Sequence, residues 1–170
     1  DFRDRPGQRR MAEQVARTTA REEALTRGFV ALQGSDRALT ELEFEHALEL
    51  DPKNHLAMTN MGIVRGAQGD AAGETQWHDK AVEAGGDDVS PWYWRARSFA
   101  AHGQLDRAIS DLRAGMTKKG AGQSHAAAVV AVLLAAGKGP EAEAVITQWR
   151  PQDPAGFDAS VAEVQKLIPK

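Results

Sequence analysis

Apolar residues recur at helical spacing at both ends of the chain and fill one stretch between them. Near the C-terminus, Val161, Val164 and Ile168 follow one another at intervals of three and four residues, which places them on one face of a helix. Residues 126–136 form the longest apolar stretch, which is rich in Ala and ends before Gly137. This stretch predicts a helix that is packed on both sides.

The N-terminal region is also predicted to be helical. Residues 8–33 contain no Pro and only one Gly, Gly28, so a long helix can run from the N-terminal segment into the region that follows. Met11, Val15 and Thr18 form only a weak apolar stripe on it. We expect this segment to pack loosely, to contact a partner or to fold back onto the chain's own binding surface.

Turn-forming residues divide the chain at a constant interval. Gly69, Gly103 and Gly137 lie 34 residues apart, and Pro52 and Pro154 lie 102 apart, which is three times that interval. A fixed period of this length indicates structural repeats that bury their apolar faces by stacking on their neighbours.

Equivalent positions of the repeat carry similar side chains. One column holds small residues in the first three blocks and a larger residue in the fourth, where Trp149 also occupies another small-residue position. Five columns in one register argue against an irregular helical bundle whose glycines coincide by chance. The columns that we compared are Gly28, Gly62, Ala96 and Val130; Phe44, His78, Leu112 and Ile146; Ala47, Ala81, Gly115 and Trp149; Pro52, Gly86, Gly120 and Pro154; and an aromatic column that keeps only Trp92.

The period and the columns resemble the tetratricopeptide repeat, a pair of antiparallel helices. The resemblance implies an all-α fold, a right-handed α-solenoid of antiparallel helix pairs with terminal capping helices. The implied organisation is an N-terminal extension or helix at 1–20, four repeats at 21–54, 55–88, 89–122 and 123–156, and a C-terminal capping helix at 157–170.

Local signals predict several helix ends. Ser90 before Pro91 is typical of an N-cap followed by a first-turn proline, and Ser124 and Asp158 are further candidate N-caps. Lys118 and Lys119 are expected in the last turn of a helix, where cations favour the negative end.

The composition is that of a folded protein, with 42% hydrophobic and 26% charged residues. No stretch reaches the roughly 18 apolar residues that a transmembrane helix needs. The chain has no Cys, which excludes disulfides, thiolate zinc sites and thiol nucleophiles. Because the first residue is Asp1 and not Met, a leader could have been removed, and we expect the bacterial periplasm or cell envelope in preference to the cytoplasm.

Charge alternates along the chain. Residues 1–21 carry six Arg against three acidic residues, residues 22–88 carry five basic against fourteen acidic residues, and residues 89–122 carry six basic against two acidic residues. Glu41, Glu45 and Glu49 lie four apart on one predicted helix, either as a solvated face or as a surface that attracts a basic partner. Nucleic acid is not an expected partner because the chain is acidic overall and its basic segments are separated.

The histidines do not form a recognisable site. None has the two-histidine helical spacing of a metal site. His78 takes the place of a large apolar residue, so we expect a core histidine with a hydrogen-bond partner, whereas His55, His102 and His125 are expected at the surface near helix ends. The sequence therefore predicts no catalytic residue, no cofactor, no metal ligand and no enzymatic activity.

The family resemblance also implies a concave groove lined by the first helix of each repeat. Carried over residue by residue, it implies these candidate partner-binding residues: Leu25, Phe29, Leu56, Thr59, Asn60, Ile63, Tyr93, Trp94 and Arg97. The carboxylate clamp of chaperone-binding members is not expected, since only Asn60 matches it and Leu25 and Phe29 stand where the clamp has polar residues.

These observations predict a non-catalytic scaffold or adaptor that binds a protein or peptide partner. The expected ligand is an apolar or amphipathic peptide or helix, bound within a larger assembly such as envelope, secretion or polysaccharide machinery. The alternative is a structural module that forms homo-oligomers through its apolar end, around Val161 and Ile168, or through its convex faces.

Overall fold

The computed structural model describes residues 6–169, which form nine α-helices and no β-strand; the predictions for residues 1–5 and Lys170 fall outside this range. The all-α fold class and the long N-terminal helix are confirmed. The helices are α1 Pro6–Gln33, α2 Arg37–Leu50, α3 His55–Ala67, α4 Ala71–Ala84, α5 Ser90–Ala101, α6 Leu105–Gly115, α7 Gln123–Ala135, α8 Gly139–Trp149 and α9 Pro154–Gln165, with a 3-10 turn at Arg150–Gln152.

The 34-residue period is the spacing of one backbone conformation. Gly69, Gly103 and Gly137 join the two helices of successive pairs with φ angles of +79°, +72° and +72°. This left-handed region favours Gly, which has no Cβ. Ser35 stands 34 residues before Gly69 and adopts the same conformation, with φ +60°. The same turn conformation therefore also joins α1 and α2, where Ser35, directly after Gly34, takes the positive-φ position.

Asp and Asn side chains begin several helices. Asp36, Asn54 and Asp153 each accept a hydrogen bond from the backbone N–H three residues later, at 3.1, 3.0 and 3.1 Å. Such bonds satisfy N–H groups that have no partner within the helix. The short polar side chain before each helix thus fixes where that helix starts.

The predicted N-caps Ser124 and Asp158 are wrong. Ser124 lies inside α7, which begins at Gln123 without a side-chain cap, because the turn before it ends on Gly122. Asp153 caps α9, and Asp158 lies within that helix, where it pairs with Arg150 at 2.7 Å.

The lysines also lie elsewhere than predicted. Helix α6 ends at Gly115, so Lys118 and Lys119 follow it in a loop. The backbone N–H of Lys119 donates to the carbonyl of Asp87 at 2.8 Å. Pro91 lies in the first turn of α5, as predicted, but Ser90 is not its N-cap: the helix begins at Ser90, the N-cap is Val89 without a side-chain bond, and the Asp88 side chain accepts the Ser90 N–H.

The chain divides into two compact units whose boundary lies between Trp77 and His78, within α4. In unit 1, α1 and α2 are antiparallel, because Gly28 lies beside Phe44 and Arg17 reaches the end of α2 at Leu50. A Cβ at Gly28 would lie 2.8 Å from Phe44 Cε1, so the small residue allows the helices to approach each other. Phe44 and Met61 are fully buried in the core of this unit.

Unit 2 is built around α7. Residues 125–133 of α7 are all buried, which agrees with the predicted helix packed on both sides, and the helix packs against α6, α8 and α9. Phe157 and Val164 of α9 join the same core. Between α5 and α6, Arg95 donates to both carboxylate oxygens of Asp111, at 2.7 and 2.8 Å. This bidentate ion pair fixes the register of the two antiparallel helices.

His78 is buried, as expected of a core position, but the expected hydrogen bond is missing on one ring nitrogen. Its Nδ1 has no hydrogen-bond partner within residues 6–169. Burial, together with the positive charge of Arg95, lowers the pKa of His78 to about 4. The imidazole is therefore neutral in the folded protein at neutral pH.

Candidate functional site

The predicted groove residues of unit 1 differ in accessibility. Leu25 belongs to the buried core, and Thr59 and Asn60 are also buried. Asn60 Nδ2 donates to the Leu56 carbonyl of its own helix at 2.7 Å. Phe29 and Leu56 are exposed and Ile63 is half-buried. The accessible members of the predicted set in this unit, Phe29, Leu56 and Ile63, are therefore all apolar.

The predicted residues of unit 2 contact one another. Tyr93 and Trp94 pack edge to face, with ring centroids 5.7 Å apart. The guanidinium carbon of Arg97 lies 5.4 Å from the Tyr93 ring centroid and 5.2 Å from that of Trp94, and Nη1 donates to the Tyr93 hydroxyl at 3.0 Å. Arg97 also lies 3.8 Å from Glu163 of α9. We call Tyr93, Trp94 and Arg97 the α5 cluster.

A cavity of about 340 Å³ opens beside the α5 cluster. It lies between the first turns of α5 and α7, neither of which has a side-chain cap from its N-cap residue. At the start of α5 the Ser90 N–H is already bonded to Asp88 and Pro91 has no N–H, whereas the early N–H groups of α7 lack intrahelical partners and carry partial positive charge, so they can donate to an acceptor in the cavity. Its lining residues are Val89, Ser90, Tyr93, Gly120, Gly122, Gln123, Ser124 and His125.

His125 is buried in the wall of this cavity, so its expected surface position is wrong. Its Nε2 lies 2.7 Å from the Leu112 carbonyl, which fixes Nε2 as the protonated nitrogen of the neutral ring. Burial lowers the pKa of His125, against the opposing effect of that hydrogen bond. The ring of Tyr93 packs against it at 5.9 Å.

Gly115 makes room for this histidine. A Cβ at Gly115 would lie 2.4 Å from His125 Cε1. The columns of the repeat, taken one at a time, do not reveal this contact between Gly115 and His125. The sequence signal for this contact is that Gly115 stands where the first two repeats carry Ala47 and Ala81.

The described residues show neither a metal site nor a membrane span. Between residues 6 and 169, no three His, Asp or Glu side chains are placed to hold a metal ion. No helix in that range is long and apolar enough to cross a bilayer. What the site offers is an aromatic and cationic surface beside a cavity whose lining includes the polar side chains of Ser90, Gln123 and Ser124.

No protein-family model and no curated protein sequence matches this chain. Several solved structures match its fold. The structure of PilF from Pseudomonas aeruginosa aligns with a TM-score of 0.76 at 15% identity, over 88% of this chain and 69% of that one. YrrB, described as a TPR protein with an unusual peptide-binding site, aligns with a TM-score of 0.63 at 18% identity, over 88% and 81% of the two chains.

An enzyme also contains a similar segment. A mutant O-GlcNAc transferase of Thermobaculum terrenum aligns with a TM-score of 0.61 at 19% identity, over 69% of this chain but only 22% of the transferase. At these identities the likeness concerns the fold. The chain therefore folds as a tetratricopeptide-repeat-like domain, in agreement with its 34-residue period.

Proposed function

We propose that this protein is a non-catalytic adaptor that binds an apolar or amphipathic segment of a protein partner on its first-helix surface, as one component of a larger assembly. The observation that carries the proposal is the α5 cluster beside the 340 Å³ cavity. Aromatic and Arg side chains are the residue types that most often dominate binding energy at protein interfaces.

The α5 cluster complements the apolar side chains of such a ligand, and the cavity complements its polar groups. The rings of Tyr93 and Trp94 offer apolar area with little conformational entropy to lose, because each side chain has only two rotatable bonds. The hydroxyls of Ser90 and Ser124 and the start of α7 offer polar partners to the ligand's backbone or acidic groups. An apolar side chain could therefore bind the cluster while a neighbouring carbonyl bonds in the cavity.

Unit 1 adds a separate apolar surface. Phe29 packs edge to face on the buried Phe44, with centroids 5.5 Å apart, which holds its ring in place while one side stays exposed. Leu56 and Ile63 give α3 a similar character. The peptide-binding site of YrrB is a precedent for ligand binding on this fold.

A peptide selection tests the proposal. Twelve-residue peptides displayed on phage are selected against the whole chain, and the best binders are titrated by fluorescence anisotropy. Tyr93→Ala with Trp94→Ala should weaken binding about 30-fold or more, since an aromatic anchor of this kind contributes about 2 kcal/mol. Circular dichroism checks that the helix content is unchanged.

Leu42→Ala is the matched control, because Leu42 is an exposed apolar residue of α2 outside the predicted groove. It should bind the selected peptides as the unaltered chain does. Equal affinity of the folded double variant and this control would contradict the assignment of the site.

The alternative of self-association through the C-terminal end gains no support. Val161 and Ile168 are partly buried and pack against the core of unit 2.

A further inference from the structure

Arg97 is a largely buried cation that lacks a hydrogen-bonded carboxylate. Its side chain is 15% exposed. Nη1 donates to the Tyr93 hydroxyl at 3.0 Å, and the guanidinium lies over the rings of Tyr93 and Trp94. Within residues 6–169 its only ion pair is with Glu163, whose carboxylate oxygen lies 3.8 Å from Nη2, beyond hydrogen-bond distance. The charge of Arg97 is therefore poorly balanced by the protein itself.

Arg95, two residues earlier on the same helix, is a cation of similar burial with a different environment. Its side chain is 18% exposed. It donates to both carboxylate oxygens of Asp111, at 2.7 and 2.8 Å, and to Asp79 at 2.8 Å. Buried charges are normally paired and hydrogen-bonded, because their removal from water is costly. Arg97 thus has the burial of a paired arginine without the hydrogen-bonded partner.

Glu163 holds the remaining edge of Arg97 only loosely. Its side chain is 70% exposed, so its carboxylate reaches Nη2 from the solvent side of α9. Exposed ion pairs contribute little, because solvent and salt screen them and two long side chains lose entropy. A ligand carboxylate can therefore replace Glu163 at Nη2 and form the charge-assisted hydrogen bond that Glu163 does not form.

We propose that the bound segment of the partner carries an acidic side chain, Asp or Glu, next to its apolar anchor, and that Arg97 binds this carboxylate in place of Glu163. The inference rests on the proposed function and names the charge that the same site selects. The guanidinium carbon lies 5.2 and 5.4 Å from the ring centroids of Trp94 and Tyr93, so a neighbour of the apolar anchor reaches it. The two rings also hold the guanidinium in place, which favours a directed hydrogen bond.

Paired peptide libraries test this charge selection. Two libraries of twelve-residue peptides are displayed on phage, identical except that one central position is Glu in the first and Gln in the second. Both are selected against the whole chain, and the best Glu peptide and its Gln counterpart are titrated by fluorescence anisotropy. The Glu peptide should bind the unaltered chain about tenfold more tightly or better, since hydrogen bonds to charged groups are the stronger kind.

Arg97→Gln removes the cation and keeps a polar side chain, and circular dichroism checks its folding. The two peptides should bind this variant within about twofold of each other, because the difference between them depends on Arg97. Glu163→Gln removes the competing carboxylate at an exposed position. It should tighten binding of the Glu peptide about twofold to fivefold and leave the Gln peptide unchanged. A purely structural role would not distinguish the two peptides.

Glu143→Gln is the matched control for Glu163→Gln, since Glu143 is an exposed glutamate of α8 and the net charge changes by the same amount. This control should bind both peptides as the unaltered chain does. Equal effects of the two substitutions would mean that net charge, and not the place beside Arg97, sets the preference, and would overturn the proposal.

The inference and the proposed function fail in different ways. Equal binding of the Glu and Gln peptides to the unaltered chain, binders from the Gln library alone, or an undiminished preference in Arg97→Gln would each overturn the role of Arg97 and leave the adaptor function standing. If neither library yields a binder that depends on Tyr93 and Trp94, the proposed function fails and the inference fails with it.

Discussion

Ser35 is a residue with a Cβ at a turn position that the later repeats fill with glycine. It adopts φ +60° where Gly69, Gly103 and Gly137 stand in later repeats. A left-handed conformation costs a residue with a Cβ about 1–2 kcal/mol, whereas Gly increases the entropy of the unfolded chain by up to about 1 kcal/mol. We expect Ser35→Gly to stabilise the protein by about 0.5–1 kcal/mol. Urea unfolding followed by circular dichroism measures the change.

Gly103→Ala supplies the opposite case. A Cβ at Gly103 meets no atom within 4 Å, so only the backbone conformation, φ +72°, resists the substitution. We expect a loss of about 1 kcal/mol in the free energy of unfolding. If Ser35→Gly destabilised the protein while Gly103→Ala did not, the left-handed turn would have no energetic role.

Residue identity alone predicted some environments and missed others. The column of large apolar residues correctly placed His78 inside, because a position inherits its burial from the repeat. The compared columns do not include His125, whose equivalents Pro91 and Ala57 are also buried, and its imidazole occupies the space left by Gly115 in another helix. Leu25 lies in the core because it packs in the same cluster as Phe44, a contact that the family's groove positions do not specify.

At the scale of helices, the ion pair between α5 and α6 is the strongest polar link in unit 2. Arg95 is 18% exposed and Asp111 is 8% exposed at the side chain, and Arg95 also lies across the rings of Trp92 and Phe99. Its hydrogen bonds to Asp111, more than any other contact, raise the pKa of Arg95 and keep it charged. Removal of the carboxylate would leave a largely buried cation.

We therefore expect Asp111→Ala to cost about 3 kcal/mol, at the lower end for a broken buried pair, because Asp79 still contacts Arg95 at 2.8 Å. Chemical denaturation measures the loss. Asp106→Ala, at an exposed residue of the same helix, is the comparison and should cost less than about 1 kcal/mol. Similar losses in both variants would show that burial does not set the strength of the pair.

Helix positions were more predictable than helix ends. The turn conformation recurs because the chain can reverse there only with positive φ, so the glycine spacing located three of the interhelical turns. N-caps depend instead on which short polar side chain reaches a free N–H group, and the sequence predicted Asp158 for α9. Asp153 reaches the Gly156 N–H, whereas Asp158 lies a turn later and binds Arg150.

At the scale of the whole molecule, the net charge of −3 conceals segments of opposite sign. The sequence predicted that alternation, but not that residues 7–19 would lie on an exposed part of α1 or that, within residues 6–169, Glu45 and Glu49 of α2 would form no ion pair. Those features depend on where α2 ends and on which cations reach α2, namely Arg27 and Arg65. Long-range contacts of this kind are not encoded in a repeat column.

The folding stability of the molecule should depend on pH through its buried histidines. Folded His78 has a pKa of about 4, and the pKa of His125 is also lowered, whereas unfolded histidines titrate near 6.5. Between these values the unfolded chain binds more protons than the folded chain, so acidification favours unfolding. The stabilisation is complete above about pH 6.5 and is lost as the pH falls towards 4, by about 3 kcal/mol for His78 alone.

Urea unfolding at pH 7, 6 and 5 tests this dependence above the range where carboxylates titrate. His78→Leu places in this column the side chain that Leu112 has in the next repeat, and it removes one buried imidazole. The variant should lose about 1.4 kcal/mol less per pH unit than the unaltered chain over the steep part of the window. Parallel slopes for the unaltered chain and His78→Leu would mean that His78 is not held neutral in the folded protein, because only a histidine that excludes a proton on folding contributes to the slope.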